Sequence, residues 1–385
     1  MSRGPAEVAP AMVQNVYKWK VAYRVPVVDE PVVEAIVRVM RSGALFRGAD
    51  TEGFEQDLAA YVGVKHGAAV SSGTAAVSLI LEALDYPAGS EVITQSNGYM
   101  SEVSTVVQAG LKPIFVEPDE ETYTLGAEGV SAAITPQTRA VFAIHMYGHP
   151  VDLDPLMKVC RRRNVDVIEI LAHSTGAEYN GTRVGSFGRA AMSTFGSKMV
   201  TVNGLGGMVL TNDATIASRV KTLRKNVPDP GEDYYNMERL PHNYQLSELL
   251  AAMGRVNLKR LDAQIEQRRH NARRLSAKLS EADLPIRLPV ERKYARHSYL
   301  HFVVRTPRRN DLKTFLESQG IETRIHYESP AYLIGPIRRA YGYKRGDFPM
   351  ADAICSEILS LPVGPWFQDE QVDFVANQVI AFFRK

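Results

Sequence analysis

Short apolar runs alternate with helical patterns through the first 215 residues, and this alternation constrains the fold more than any other feature. The runs at 91–94 (EVIT), 113–117 (PIFVE), 140–145 (AVFAIH), 166–169 (DVIE) and 208–211 (MVLT) are rich in β-branched residues and nearly continuous in apolar character. Strands buried on both faces of a sheet have this texture. Between them, helical spacing appears at about 73–85, 99–110, 128–134 and 153–163. Strands and helices in strict alternation predict a large α/β domain, its mainly parallel sheet covered by helices on both faces.

Past residue 245 the pattern changes. A long helical pattern runs to about Leu279, and the prolines of PIRLP at 285–289 end it. A strand at 301–305, a helix near 310–319, a strand at 322–326 and helices at 350–359 and 367–383 then predict a smaller C-terminal α+β domain. The expected division is a tail or arm over 1–22, the large domain over 23–245, a long connecting helix over 246–282 and the small domain over 283–385.

Composition narrows the function. Lys and Arg number 45 against 43 Asp and Glu, for a net charge of +2. That balance lacks the basic footprint of a nucleic-acid binder, so no nucleic-acid partner is expected. The basic run at 259–274 carries its charges between apolar residues at helical spacing and includes acids, which marks a solvated helix face. Cys160 and Cys355 are the only cysteines, too few for a disulfide framework or a Cys-rich metal site. They read as buried thiols of a reducing compartment. The first twenty residues lack the continuous apolar core of a signal peptide, and the most apolar stretch, 75–84, is too short to span a bilayer. A cytoplasmic protein without membrane contact is expected.

Four segments hold the candidate chemistry. At 70–77 (VSSGTAAV) a strand runs through small residues into a helix, where backbone N–H groups near Gly73 suit a phosphate. The same residues also suit a plain N-capped helix, with Ser72 or Thr74 as cap. At 166–177 a strand ends in polar and small residues, which places His173 where parallel sheets open toward ligands, or makes it a structural histidine. At 192–209 Lys198 lies in a small, nearly uncharged stretch between Gly196 and Gly204. A lysine so placed can have the lowered pKa of an imine-forming amine, or it can be one surface charge among many. At 240–254 a polar loop feeds a helix, and Asn243 reads as an anion donor or a turn residue.

The order and spacing of these segments resemble the DegT/DnrJ/EryC1/StrS family of sugar aminotransferases, which use pyridoxal phosphate on the fold-type-I aminotransferase scaffold. The resemblance runs from about Tyr23 to the C-terminus and includes RSGALFRGADTEGFE at 41–55, AVFAIHMYGHPVDLDP at 140–155, GAEYNGTRVGSFG at 176–188 and LSLP at 359–362. It implies that Lys198 bonds the cofactor's aldehyde and moves the proton at the substrate carbon. It implies further that Gly73 and Thr74 hold the phosphate with help from Ser193, and that Tyr99 stacks on the pyridine ring. His173 would lie near the phenolic oxygen. Asn243 would reach the phosphate of a neighbouring subunit, so the resemblance implies a homodimer with shared active sites.

Several positions depart from the family pattern. The family carries Glu-Asp at the end of the 166–169 strand, and its Asp pairs with the protonated pyridine nitrogen. This chain has Glu169 followed by Ile170 and Leu171. Glu169 is not expected to substitute, since adjacent strand residues face opposite sides. A family Gly-Glu-Gly-Gly reads GLGG at 204–207, Asn-x-Arg reads Asn243-Tyr244-Gln245, and Tyr332 stands in place of a histidine. Gln95 and Gly98 replace a Pro and a Thr ahead of Tyr99. The expected function is transamination of a nucleotide-linked keto-sugar or keto-cyclitol with Glu or Gln as donor. Two readings stay open beside it: another Schiff-base reaction of Lys198, with or without pyridoxal phosphate, and a non-catalytic homologue.

Overall fold

The computed structural model describes residues 19–25, 28–46, 48–196, 199–200, 202, 204–225 and 239–384. Among them the helices in chain order are α1 (Glu30–Ser42), α2 (Ala49–Val62), α3 (Gly73–Leu84), α4 (Met100–Gln108), α5 (Ala127–Ala133), α6 (Leu153–Arg163), α7 (Ala214–Leu223), α8 (Glu248–Leu258), α9 (Leu261–Glu281), α10 (Arg309–Ser318), α11 (Gly335–Tyr341), α12 (Pro349–Glu357) and α13 (Asp369–Phe383). The main strands are β1 (His66–Val70), β2 (Glu91–Gln95), β3 (Lys112–Val116), β4 (Thr138–Ile144), β5 (Asp166–Ile170), β6 (Ala190–Thr194) and β7 (Gly207–Thr211). They form one sheet in the spatial order β1-β7-β6-β5-β4-β2-β3.

Every pairing in this sheet is parallel except those of β7, which runs antiparallel to both β1 and β6. The large α/β domain expected from the alternation is present. Strand residues alternate between two apolar clusters. Val141, Ala143, Val167 and Ala191 pack on one face, and Ala140, Phe142, Ile168 and Met192 pack on the other, where α3 lies. Burial on both faces is what the continuous apolar runs encode. No helix among the described residues is long and apolar enough to cross a membrane.

A second core gathers the C-terminal part. A two-stranded antiparallel sheet of β8 (Phe302–Arg305) and β9 (Ile358–Leu361) packs with α9, α10 and α13 through Leu275, Leu312, Leu316, Val375 and Val379. Four details differ from expectation, the first being the strand expected at 322–326, where Arg324 alone bridges to Ser360 of β9. The single connecting helix is two, α8 and α9, because α8 packs on α1 and α2 whereas α9 packs on α13. The helix expected over 350–359 ends at Glu357, and the chain turns extended at Ile358 to pair with β8. Val21, expected in the tail, pairs with Ile321 and is buried in the C-terminal core, because its apolar side chain gains more there than in water.

Candidate active site

At the carboxyl end of the sheet β1 turns into α3 through Ser71 and Ser72. Ser72 is extended (φ −164°, ψ 165°) and its hydroxyl accepts the Ala75 N–H at 3.0 Å, so the plain N-cap is present. The N–H groups of Gly73 and Thr74, in the first helical turn, have no intrahelical acceptor and remain for a ligand. Two missing side chains let this end pack closely on the sheet. A Cβ on Gly73 would come within 2.7 Å of Thr194 Cβ, and one on Gly207 within 2.5 Å of the Ser72 carbonyl oxygen. The first turn of α3 therefore lies directly on β6 and β7. The capped-helix reading is present in the Ser72 bond to Ala75, and that cap uses one N–H of the turn without using those of Gly73 and Thr74.

That turn borders a cavity of about 240 Å³. Gly73, Thr74, Tyr99 and His173, four of the residues singled out in the sequence, line it together. Tyr99 caps the head of α4 and is 46% exposed, its ring centroid 4.9 Å from that of Tyr327. An open aromatic face of this kind suits a flat ligand. His173 is buried, with Nδ1 accepting the Tyr147 N–H at 3.2 Å and Nε2 lying 3.2 Å from the Tyr327 hydroxyl. This network assigns the ring proton to Nε2, where it donates to the Tyr327 oxygen. Burial, reinforced by the Glu102 carboxylate, pushes the Tyr327 phenol upward, so it stays protonated. Tyr147 fixes the arrangement further, since its own hydroxyl donates to the His326 carbonyl just before Tyr327.

Ser193 does not line this cavity. Strand alternation turns it to the other face, fully buried, with its hydroxyl 2.8 Å from that of Thr175. Thr194, one residue on, faces the cavity and donates to the Gly206 carbonyl at 3.1 Å. Asn243 is exposed, has a left-handed backbone (φ 56°) and is not among the residues that line the cavity of its own chain. Lys198 lies outside the described residues. Tyr332 is fully buried away from the cavity, with its hydroxyl donating to Asp352 at 2.6 Å.

The end of β5 separates two chemistries. Glu169 is fully buried on one face, where it accepts the N–H groups of Gly185 (2.6 Å), Phe187 (2.8 Å) and Gly188 (2.7 Å). His145 Nε2 lies 3.2 Å from the same carboxylate and donates to it, because its Nδ1 accepts the Val151 N–H at 3.0 Å. Ile170 faces the other way, toward α3, in the apolar cluster with Ile144 and Met192. Thr194, Glu102 and Tyr327 are among the cavity residues not singled out in the sequence. Thr194 follows from strand parity with Met192, and Glu102 from its place one helical turn after Tyr99. Tyr327 has no local signal, since it reaches the cavity from the C-terminal part of the chain. Among the described residues, no group of three or more His, Cys, Asp or Glu side chains is placed to hold a metal.

Comparison with known proteins decides the family. The model of the DegT/DnrJ/EryC1/StrS aminotransferase family matches residues 26–380. This chain belongs to that family. It is 36% identical to the dTDP-3-amino-3,4,6-trideoxy-alpha-D-glucose transaminase of Streptomyces venezuelae, over 90% of either chain. It is 35% identical to a protein of Geobacillus stearothermophilus named a pleiotropic regulatory protein, over 92% of this chain and 94% of that one. Among solved structures, S. venezuelae DesV in complex with a ketimine intermediate superposes with a TM-score of 0.87 at 34% identity, covering 92% of this chain and 94% of that one. The fold, the cavity at the strand ends and the family agree on one class of chemistry, that of a sugar aminotransferase family built around pyridoxal phosphate.

Proposed function

We propose that this chain is a pyridoxal-phosphate-dependent aminotransferase that acts on a nucleotide-linked keto-sugar or keto-cyclitol, with glutamate or glutamine as amino donor. The observation that supports it best is the open first turn of α3, pressed onto β6 and β7 by Gly73 and Gly207 and set beside the half-exposed ring of Tyr99. Those features fit the cofactor's phosphate and its flat ring. When bound, pyridoxal phosphate supplies an electrophilic aldehyde and a ring that spreads the charge left on a substrate carbon.

The chain's own residues have separate tasks in this reading. The N–H groups of Gly73 and Thr74 bind the phosphate, and Thr194 shapes the floor of that pocket in place of Ser193. Tyr99 covers one face of the ring. Tyr327 accepts a hydrogen bond from His173 and turns its own hydroxyl proton to an oxygen of the bound molecule. Lys198 would hold the cofactor through its amine and, once displaced by the incoming amine, would carry a proton on Nζ to and from the substrate carbon. Asn243 reaches the phosphate in the partner's site, which makes two copies the working unit.

The test is spectroscopic. Protein reconstituted with pyridoxal phosphate is expected to be yellow, and L-glutamate is expected to bleach the visible band by converting the cofactor to its amine form. A colourless protein that takes up no cofactor contradicts the proposal. Ile170, with no proton-accepting atom, favours a second reading in which Lys198 runs a different Schiff-base reaction. A yellow protein inert to every amino donor would select that reading.

A further inference from the structure

Where β4, β5 and β6 run side by side at the cavity they present three apolar side chains, and the one hydroxyl of these strand ends, that of Thr194 at the tip of β6, stands toward Gly73 and donates to the Gly206 carbonyl. β4, β5 and β6 finish side by side, Ile144 opposite Ile170 and Ile170 opposite Met192. All three side chains are buried in one apolar cluster, and Ile144 and Met192 line the cavity. The adjacent acid, Glu169, is committed to the opposite face by three backbone N–H groups and His145. Glu102, the carboxylate that does line the cavity, stands on α4 and not on the strand ends.

Elementary geometry decides which edge of pyridoxal phosphate meets this wall. Its ring nitrogen lies para to the carbon that bears the aldehyde. The aldehyde has to face the side from which an amine arrives, so the nitrogen points to the closed side, with the phosphate at Gly73 and Thr74 to one flank.

We propose that this chain holds pyridoxal phosphate with its ring nitrogen unprotonated, because Ile144, Ile170 and Met192 offer an N–H no acceptor. A buried donor without a partner costs more than giving up the proton. The inference rests on the cofactor reading given above. A neutral ring withdraws electrons less strongly, so the site is suited to slow transamination or to chemistry that demands less charge delocalisation.

Protein loaded with pyridoxal phosphate carrying ¹⁵N at the ring nitrogen tests this by NMR. The wild type is expected to give the shift of an unprotonated pyridine, constant from pH 6 to pH 8. Ile170→Asp, whose carboxylate adds a charged acceptor, is expected to move it to the protonated value, whereas Ile170→Asn, similar in size but uncharged and able to donate its amide N–H to a bare ring nitrogen, leaves it unprotonated. A protonated signal in the wild type overturns the inference, and this holds whether or not Ile170→Asp folds. A wild type that binds no cofactor gives no signal and no visible band. That outcome removes the cofactor reading itself and is distinct from a bound, protonated ring.

Discussion

Glu169 and Ile170 are neighbours in sequence, equally buried, and face opposite sides of one strand end. Behind the sheet a carboxyl group is tolerated because the 185–188 loop brings three N–H groups to it and His145, just past β4, brings an imidazole. In front, where α3 opens on the cavity, the chain supplies no such partners and places hydrocarbon instead. A buried charge persists only where its partners are built in, and a carboxylate in front would depend on a ligand to supply them. The contrast shows that apolar Ile170 is buried without any polar partner, whereas Glu169 needs four.

Glu169→Ala should give the largest effect, since it strands three buried N–H groups at about 1–3 kcal/mol each. Chemical denaturation is expected to show a loss of about 3–9 kcal/mol, and a loss below about 1 would break the contrast between the faces. Ile170→Asp should cost the cofactor-free protein about 4 kcal/mol, through lost burial and an unpaired acid. Added pyridoxal phosphate is expected to recover part of it, read as a rise in melting temperature larger than that of the wild type.

Acid probes the loops behind the sheet more gently. Burial lowers His149 from 6.5 to about 4 and holds the adjacent His297 well below its ordinary value. Between pH 6.5 and 4 the unfolded chain binds protons that the folded chain refuses, so stability falls as pH falls. His149 contributes about 3 kcal/mol to that loss, and His149→Gln should flatten the slope of stability between pH 6.5 and 4.5. Ile170→Val should have the smallest effect, about 1 kcal/mol, with the cofactor's ¹⁵N shift unchanged.

Much of this was legible in the sequence. The five apolar runs fell on strands because a strand buried on both faces leaves a continuous apolar record. Gly73, Thr74, Tyr99 and His173 converge because each follows a strand whose carboxyl end points to the same side. Strand β6 was missed, since AAMST is neither β-branched nor strongly apolar and is specified by its neighbours β5 and β7. The same gap left the facing of Ser193 unread, since it depends on strand parity that only the paired register fixes. Tyr327 could not be read because no local pattern encodes a contact with His173, 154 positions earlier.

The most direct test joins the cofactor to the chain. Reconstituted protein is reduced with borohydride, digested and mapped by mass spectrometry. The account predicts loss of the visible band and one peptide carrying a phosphopyridoxyl group on Lys198, with neither seen in Lys198→Ala. An unmodified Lys198, or a label spread over surface lysines and retained in Lys198→Ala, would contradict it.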